Sequence, residues 1–575
     1  MSPIALVIDA DGAGPASDAE RVEDLRSLGY EPVGAPPERV VEMMTVAADA
    51  NRDVAVVDGR LVAHRSALRL LLGDGRVATG VLLAAESGAV EGWTVVAVDT
   101  SSGLVCSASS PLHESMDGSV LQVGLARFAA GDIVRLRSTL APADTQERVA
   151  VEAALRLAPT ETLVALALEG GVEVRGIDRR GLVAAIGDTS TDRDELHESC
   201  RAVDEQRAWL DAAVKAHDGW FTTYFISPWS RFVARWLARR GWSPTQVTTA
   251  AAVLAGGAAA GFATGWTPLV VLAAVLLQVA FALDCVDGQL ARFTGRFSRF
   301  GGWLDAILDR AKEYIVILGL ASWGASSVPE VWLLAGAVVT VQTSRHLLDL
   351  LAERVRPRPP IRMPARRSRI RADIAPRPSS SGDGPIGGRP TPIRWARHIA
   401  AFPIGERWAV LSLGAVLVGP VATLWILLVW SVAAGAANLV RRLLAARSWE
   451  TSTVGWLGPL VVPTAGHLAV VALIWWTPER GPALTVLLLA LVMRRYDTAL
   501  RAGGPSTSVP ADGWLFYLAA VAGMVLIGLV DVPDLVVWCA VAVPVLLVVV
   551  VPASAWVAAR RDANVHTAPA EEVTR

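Results

Sequence analysis

The sequence predicts an N-terminal soluble α/β domain followed by an all-α polytopic membrane bundle. Three observations carry this. The 575 residues are 53% hydrophobic with a mean hydropathy of +0.42, too apolar for an ordinary soluble protein of this length. The apolar residues are unevenly spread: residues 1–200 read as a soluble chain, whereas later positions carry long runs of Leu, Val, Ala and Trp. Within the first part, short β-branched runs alternate with stretches of helical spacing.

The runs 4–8, 54–57 and 94–98 are short and bounded by Asp, Gly or Asn, so they are expected as strands; 19–28 and 65–72 show helical spacing. Residues 191–215 turn charged, Ala-rich and helical. Residues 218–230 (DGWFTTYFISPWS) have the aromatic character of a segment lying at a lipid surface, which makes 201–243 a linker with an interfacial helix. Membrane spans are expected at 244–265, 269–286, 303–323, 331–351, 408–418 and 421–440, forming one bundle over 244–445. Four further runs, 454–476, 483–493, 514–530 and 535–557, predict an additional transmembrane domain over 446–560, followed by a tail, 561–575. The Arg- and Pro-rich stretch 354–395 reads as a disordered basic loop.

Arginines fall at alternate loops (Arg235, Arg239 and Arg240; Arg292, Arg296 and Arg299; Arg441, Arg442 and Arg447; Arg560 and Arg561), which places both termini in the cytoplasm of a multi-pass plasma-membrane protein. The opening MSPIALVIDADGAG has no basic region before an apolar one, so no cleavable secretory signal is expected. Net charge is only -2, which gives no footing for a nucleic-acid partner. Cys106, Cys200, Cys285 and Cys539 are scattered without C-x-x-C spacing, against a zinc site or a disulfide framework.

Residues 284–309 read DCVDGQLARFTGRFSRFGGWLDAILD, with four carboxylates beside or inside two apolar segments. An intramembrane Asp costs a few kcal/mol even on permissive scales, so such groups are functional candidates by default. A helix-end cap or a snorkelling pair accounts for one Asp and hardly for four. Asp284 and Asp287 are three apart, Asp305 and Asp309 four apart, so each pair shares a helical face. Hard carboxylate oxygens without His or Cys suit Mg²⁺ or Mn²⁺ bridging to substrate phosphates. Gly288, Ala291, Gly301 and Gly302 permit close approach of a helix or ligand, and Arg292 can meet a phosphate.

These residues resemble the signature of the CDP-alcohol phosphotransferase (CDP-alcohol phosphatidyltransferase) family, D-x-x-D-G-x-x-A-R, eight residues, then G-x-x-x-D-x-x-x-D. It is met at Asp284, Asp287, Gly288, Ala291, Arg292, Gly301, Asp305 and Asp309. SPTQVT at 243–248 resembles the family's P-N-x-V-T opening of its first span, with Thr245 in place of Asn. The resemblance implies a six-helix core with a cytoplasm-facing cavity. It also implies transfer of a phosphoalcohol group from a CDP-alcohol, CDP-diacylglycerol or CDP-inositol, to an acceptor hydroxyl with release of CMP, in phospholipid or inositol-phosphate biosynthesis. By the same resemblance Asp284, Asp287, Asp305 and Asp309 hold Mg²⁺ or Mn²⁺, Asp309 also serves as general base, and Gly288, Ala291, Arg292 and Thr248 contact the CDP moiety. A homodimer in membrane lipid is the expected assembly.

SRFGGWLDAILDR at 298–310 and DGWFTTYFIS at 218–227 look most like the di-myo-inositol-phosphate-phosphate synthase and phosphatidylinositol-phosphate synthase branch, whose members often carry an N-terminal nucleotidyltransferase domain. VAVVDGRLVAHRSALRLLL at 54–72 is similar to that fold, but IDADGAGPASD stands where a G-x-G-x-R nucleotide loop would, so an inactive relative is expected. Arg296, Arg299, Arg310 and Lys312 are candidates for a polar, phosphorylated acceptor such as inositol phosphate, with positive-inside anchoring the plainer reading of the first two. Glu406 and Arg407 read as an interfacial pair. An intramembrane Asp-rich prenyltransferase and a non-enzymatic transporter or channel are the rival readings; the D-G-x-x-A-R continuation counts against the first, and the extra C-terminal spans would be natural in the second.

Overall fold

The structure is a computed structural model that describes residues 2–8, 19–73, 77–92, 95–99, 102–113, 116–142, 144–179, 181–187, 189–215, 219–355, 361, 363, 399–446 and 458–501. The chain divides into two compact units, Met1–Ala212 with Arg358–Arg389, and Ala213–Pro357 with Pro390–Arg575.

The first unit is α/β, as expected. In chain order it holds β1 (Ile4–Ile8), α1 (Ala19–Ser27), β2 (Glu31–Ala35), α2 (Val40–Asp49), β3 (Val54–Asp58), β4 (Leu61–Ala63), α3 (Arg65–Leu72), β5 (Gly80–Gly92), β6 (Val96–Asp99), β7 (Leu104–Ala108) and β8 (Met116–Phe128). There follow α4 (Ala130–Arg135), α5 (Arg137–Leu140), α6 (Thr145–Leu157), α7 (Pro159–Glu169), β9 (Arg175–Asp178), β10 (Ala184–Ile186), α8 (Ser190–Ala202) and α9 (Glu205–Ala213). An eight-stranded mixed sheet runs β2-β1-β3-β8-β5-β9-β7-β6, with β4 and β10 as a separate antiparallel ribbon. β1 lies parallel to both β2 and β3, while β8 runs antiparallel to β3 and β5.

Both faces of the central strands are buried, which explains their near-continuous apolar runs. Leu6, Ile8, Val54 and Val56 pack on one side with Met44 of α2 and Leu163 of α7; Ala5, Val7, Ala55 and Val57 pack on the other with Leu25 of α1 and Leu68 of α3. Local chemistry sets the helix ends: Asp144 accepts from the backbone N–H of Gln146 and Glu147 ahead of α6, and Thr189 with Asp192 forms a capping box on α8.

The second unit is helical. A π-turn (Thr222–Ile226) leads into α10 (Ser227–Arg239); the turn leaves Tyr224 and Phe225 exposed, and the helix Trp229, Phe232 and Trp236. Then come α11 (Pro244–Ala263), α12 (Thr267–Thr294), α13 (Arg299–Gly324), α14 (Val331–Val355), α15 (Ile404–Leu417), α16 (Pro420–Ala446), α17 (Gly458–Trp476) and α18 (Gly481–Arg501). Among the described residues, every run expected to span the bilayer up to residue 493 is mainly helical; 454–457, 514–530, 535–557 and almost all of 354–395 lie outside the described residues.

Among the described residues, three helices are long and apolar enough to cross a membrane, Pro244–Ala263, Thr267–Thr294 and Pro420–Arg441. Most of the others fall short for a physical reason: α13 carries Asp305, Asp309, Arg310, Lys312 and Glu313, α14 ends in charged residues, and α15 is only 14 residues long. On α12, Val271, Val275 and Val279 recur every fourth residue on an exposed face, and Val429 of α16 is 62% exposed. Such outward apolar stripes fit a bilayer and not water.

Ser243 caps α11 with a Gln246 capping box and Pro244 at the first turn. α12 ends at Gly295, whose φ of 68° is the left-handed value glycine adopts freely. Ser298 then caps α13, its Oγ accepting from Gly301 N–H at 2.8 Å. After this short connection α13 packs, like α12, against α11.

Candidate active site

The fold brings the carboxylates together because the connection is short and each pair already shares a face. One oxygen each from Asp284, Asp287 and Asp305 lie within 4.8 Å of one another. Asp287 is oriented by Thr248 of α11, whose hydroxyl donates to its Oδ2 at 2.5 Å. Asp309 stands beside this trio on α13. Its Oδ1 lies 3.1 Å from Lys312 Nζ, yet it is buried and accepts no hydrogen bond of regular geometry.

Lys312 reaches Asp284 as well as Asp309. Its side chain is 1% exposed, and its ammonium lies 5.9 Å from the centre of the Trp408 ring. The sequence reading gave Lys312 to the acceptor; the structure places it against the carboxylates, where one turn of helix brings residue 312 under residue 309. Arg310, the neighbouring candidate, keeps its side chain 24% exposed and donates from Nη1 to His346 Nε2 at 3.1 Å. The side chain of Arg299 lies outside the described residues.

Of the residues expected at the CDP moiety, Gly288 lies directly below Arg292: a Cβ there would sit 3.4 Å from Arg292 Nη1. Arg292 itself donates from Nε to the Ala213 carbonyl at 2.5 Å, which fixes its direction. Ala291 is half-buried on the same helix. Gly301 cannot take a larger residue without meeting Ser298 Oγ at 2.8 Å, so the cap of α13 and the family glycine are one feature.

Sequence reasoning missed a buried ionic network behind the carboxylates. Arg407 does not pair with Glu406 at an interface. It is 4% exposed, binds Glu313 through Nε (2.7 Å) and Nη2 (3.2 Å), and donates to the Phe402 carbonyl at 3.0 Å. Glu406 turns the other way and accepts from Phe221 N–H at 3.3 Å. Adjacent residues on a helix point about 100° apart, so an acidic–basic neighbour pair seldom bonds to itself. His346 and Tyr496 join this network, as does Tyr314 through Tyr496. Glu313, an acid inside the apolar stretch of α13, was the one signal in the sequence that could have exposed it.

Charge selects the kind of ligand that fits. Three converging carboxylates, with a fourth, Asp309, paired to Lys312 beside them, make an all-oxygen donor set, which suits a hard divalent cation such as Mg²⁺.

Residues 242–367 match the family model described as CDP-alcohol phosphatidyltransferase. An archaetidylinositol phosphate synthase of Pyrococcus horikoshii is 44% identical over 54 residues, 9% of this chain and 29% of that protein. A phosphatidylinositol phosphate synthase of Mycolicibacterium smegmatis is 36% identical over 121 residues, 20% of this chain and 51% of the relative. A bifunctional IPC transferase and DIPP synthase of Aquifex aeolicus is 34% identical over 80 residues, 13% and 19% of the two chains. The chain thus spans between about a fifth and about half of the length of these curated relatives. Among solved structures, the inositol-1-phosphate CTP transferase from T. maritima is similar at a TM-score of 0.23 and 12% identity, over 35% of this chain and 97% of that one. The segment that matches the CDP-alcohol phosphatidyltransferase model, residues 242–367, thus belongs as far as Pro357 to the helical unit and includes all four carboxylates.

Proposed function

We propose that this chain transfers a phosphoalcohol group from a CDP-alcohol to the hydroxyl of a polar, phosphorylated acceptor, releasing CMP. The observation that carries the reading is the convergence of Asp284, Asp287 and Asp305 inside a segment that matches the transferase family. Those three would hold a divalent cation, which when bound neutralises charge on the donor diphosphate and on departing CMP. Asp309 takes the proton of the acceptor hydroxyl at Oδ1 as its oxygen bonds to the phosphorus and the bond to CMP breaks. Thr248 keeps Asp287 turned inward, and Lys312 offsets part of the charge shared by Asp284 and Asp309. Arg310 is placed to meet the acceptor phosphate.

The donor is CDP-diacylglycerol or CDP-inositol, and inositol phosphate is the acceptor this reading favours. Catalysis faces the cytoplasm, and the enzyme works as a homodimer in the membrane. The α/β unit is read as catalytically silent: both oxygens of Asp58, at the end of β3, are bound by Arg60, at 3.0 and 2.8 Å, while residues 9–18 lie outside the described residues.

The test is CMP release by the purified chain in detergent with Mg²⁺, pairing each donor with inositol, inositol phosphate and glycerol phosphate. Asp309→Asn is expected to lower the rate by about 100-fold or more, and chelation to abolish it. Folded protein that releases no CMP from any pair would sink the proposal.

A further inference from the structure

We propose that α18, which lies beyond the family-matched residues 242–367, frames the active site, with Tyr496 and Asp497 as positioning residues that hold Arg310 and the first turns of α13 for a phosphorylated acceptor. The inference rests on the transferase reading above. α18 reaches α13 at two points that flank the catalytic carboxylates, one directly and one through His346 of α14. Asp497 Oδ1 accepts the indole N–H of Trp303 at 3.0 Å, two residues before Asp305. Tyr496 acts through His346 on Arg310, the residue after Asp309.

Donor logic fixes the direction of this second contact. Guanidinium groups only donate, and His346 Nε2 lies 3.1 Å from Arg310 Nη1 and 3.2 Å from Arg407 Nη2. Nε2 therefore accepts, the ring proton sits on Nδ1, and that N–H donates to the Tyr496 hydroxyl oxygen at 2.9 Å. Thr343 directs its own proton to the Val339 carbonyl at 2.7 Å, so it accepts from Tyr314 at 3.0 Å, which leaves the Tyr314 oxygen to receive the Tyr496 proton at 3.4 Å. Each proton has one place.

Tyr314 and Tyr496 are fully buried and His346 nearly so, and no water can substitute for a deleted hydroxyl without a cavity to enter. Without the Tyr496 oxygen, Nδ1–H is left buried without its acceptor, and the other tautomer would turn a proton toward two guanidinium groups. The imidazole is then no longer held at Nδ1, so its contact with Arg310 Nη1 loosens and Arg310 keeps only the longer pair with Glu313 at 3.9 Å. It is the partly open cation beside the carboxylates, so the loss falls on acceptor binding and spares the donor.

The experiment uses the full chain in detergent with Mg²⁺ and measures CMP release, with separate KM values for donor and for inositol phosphate. Tyr496→Phe and Asp497→Leu are expected to raise the acceptor KM about tenfold, the scale of one lost charge-assisted bond, with donor KM within about twofold. Asp497→Asn keeps an acceptor oxygen for Trp303 but loses the one that Arg494 Nη1 meets at 3.2 Å, so its acceptor KM falls between those of wild type and Asp497→Leu. Tyr496→Phe adds nothing further on top of Arg310→Lys, because both act through one contact. Equal shifts in both KM values, or additive effects in the double variant, would overturn the proposal. If the wild type releases no CMP from any donor, the transferase reading fails, and titration calorimetry with inositol phosphate decides this one. Binding about tenfold weaker in Tyr496→Phe than in wild type supports it, and equal or absent binding overturns it.

Discussion

In the first turn of α7, Glu161 has its Oε2 held by the Thr160 hydroxyl at 2.8 Å, while its Oε1 is buried without a hydrogen-bond partner. Burial, and then the nearby charge of Asp58, push its carboxyl up to about 7. An acid whose folded value is raised binds its proton more tightly when folded. Its contribution to stability is therefore complete below the ordinary value of 4.5 and is lost as pH rises towards about 7. Glu161→Gln removes that titration. The variant should flatten the stability of the α/β unit between pH 4.5 and 7 and raise it at pH 8 by on the order of 3 kcal/mol, read by pulse proteolysis of the full chain across a urea series; an unchanged slope would refute the assignment. Residues of this kind are hard to see in a sequence. The four aspartates were legible because their spacing of three and four puts each pair on one face of an apolar helix. His346 and Tyr496 were not, because each is a lone residue whose partner lies 150 positions away.

Helix positions were largely legible as well, since apolar runs long enough for a bilayer leave little choice of structure. What the runs concealed is how closely the helices meet. A Cβ on Gly319 of α13 would come within 2.4 Å of the Ala259 carbonyl oxygen of α11, and within 3.0 Å of its carbon. Both are backbone atoms, so no rotamer relieves the contact. Gly319→Ala should therefore force the helices apart at a cost of about 1–3 kcal/mol, seen as a lower melting temperature in detergent. An unaltered melting temperature would show that the two helices are not held this tightly. The charged stretch of α13 blurred its reading as a span for the same reason that it is functional: Arg310, Lys312 and Glu313 find their partners on α12, α14 and α15, which no local pattern reveals.

Across the whole chain, composition divides cleanly. The α/β unit buries apolar strands on both faces of its sheet, whereas the helical unit turns valines and tryptophans outward. Surface of that kind is stable only against hydrocarbon. The full chain should accordingly stay in the membrane pellet after an alkaline carbonate wash, checked by fractionation and blotting; release into the supernatant would contradict a bilayer-spanning reading. The turn at Gly295 has one more implication. All four carboxylates sit on two successive helices, α12 and α13, that both pack on the preceding α11, so these contacts are local and close quickly during synthesis. The Trp303–Asp497 bond joins positions 194 residues apart. A nascent chain can thus assemble α11, α12 and α13 long before α18 exists to brace them, and in that interval the newborn protein holds the acidic cage without the brace that completes its frame.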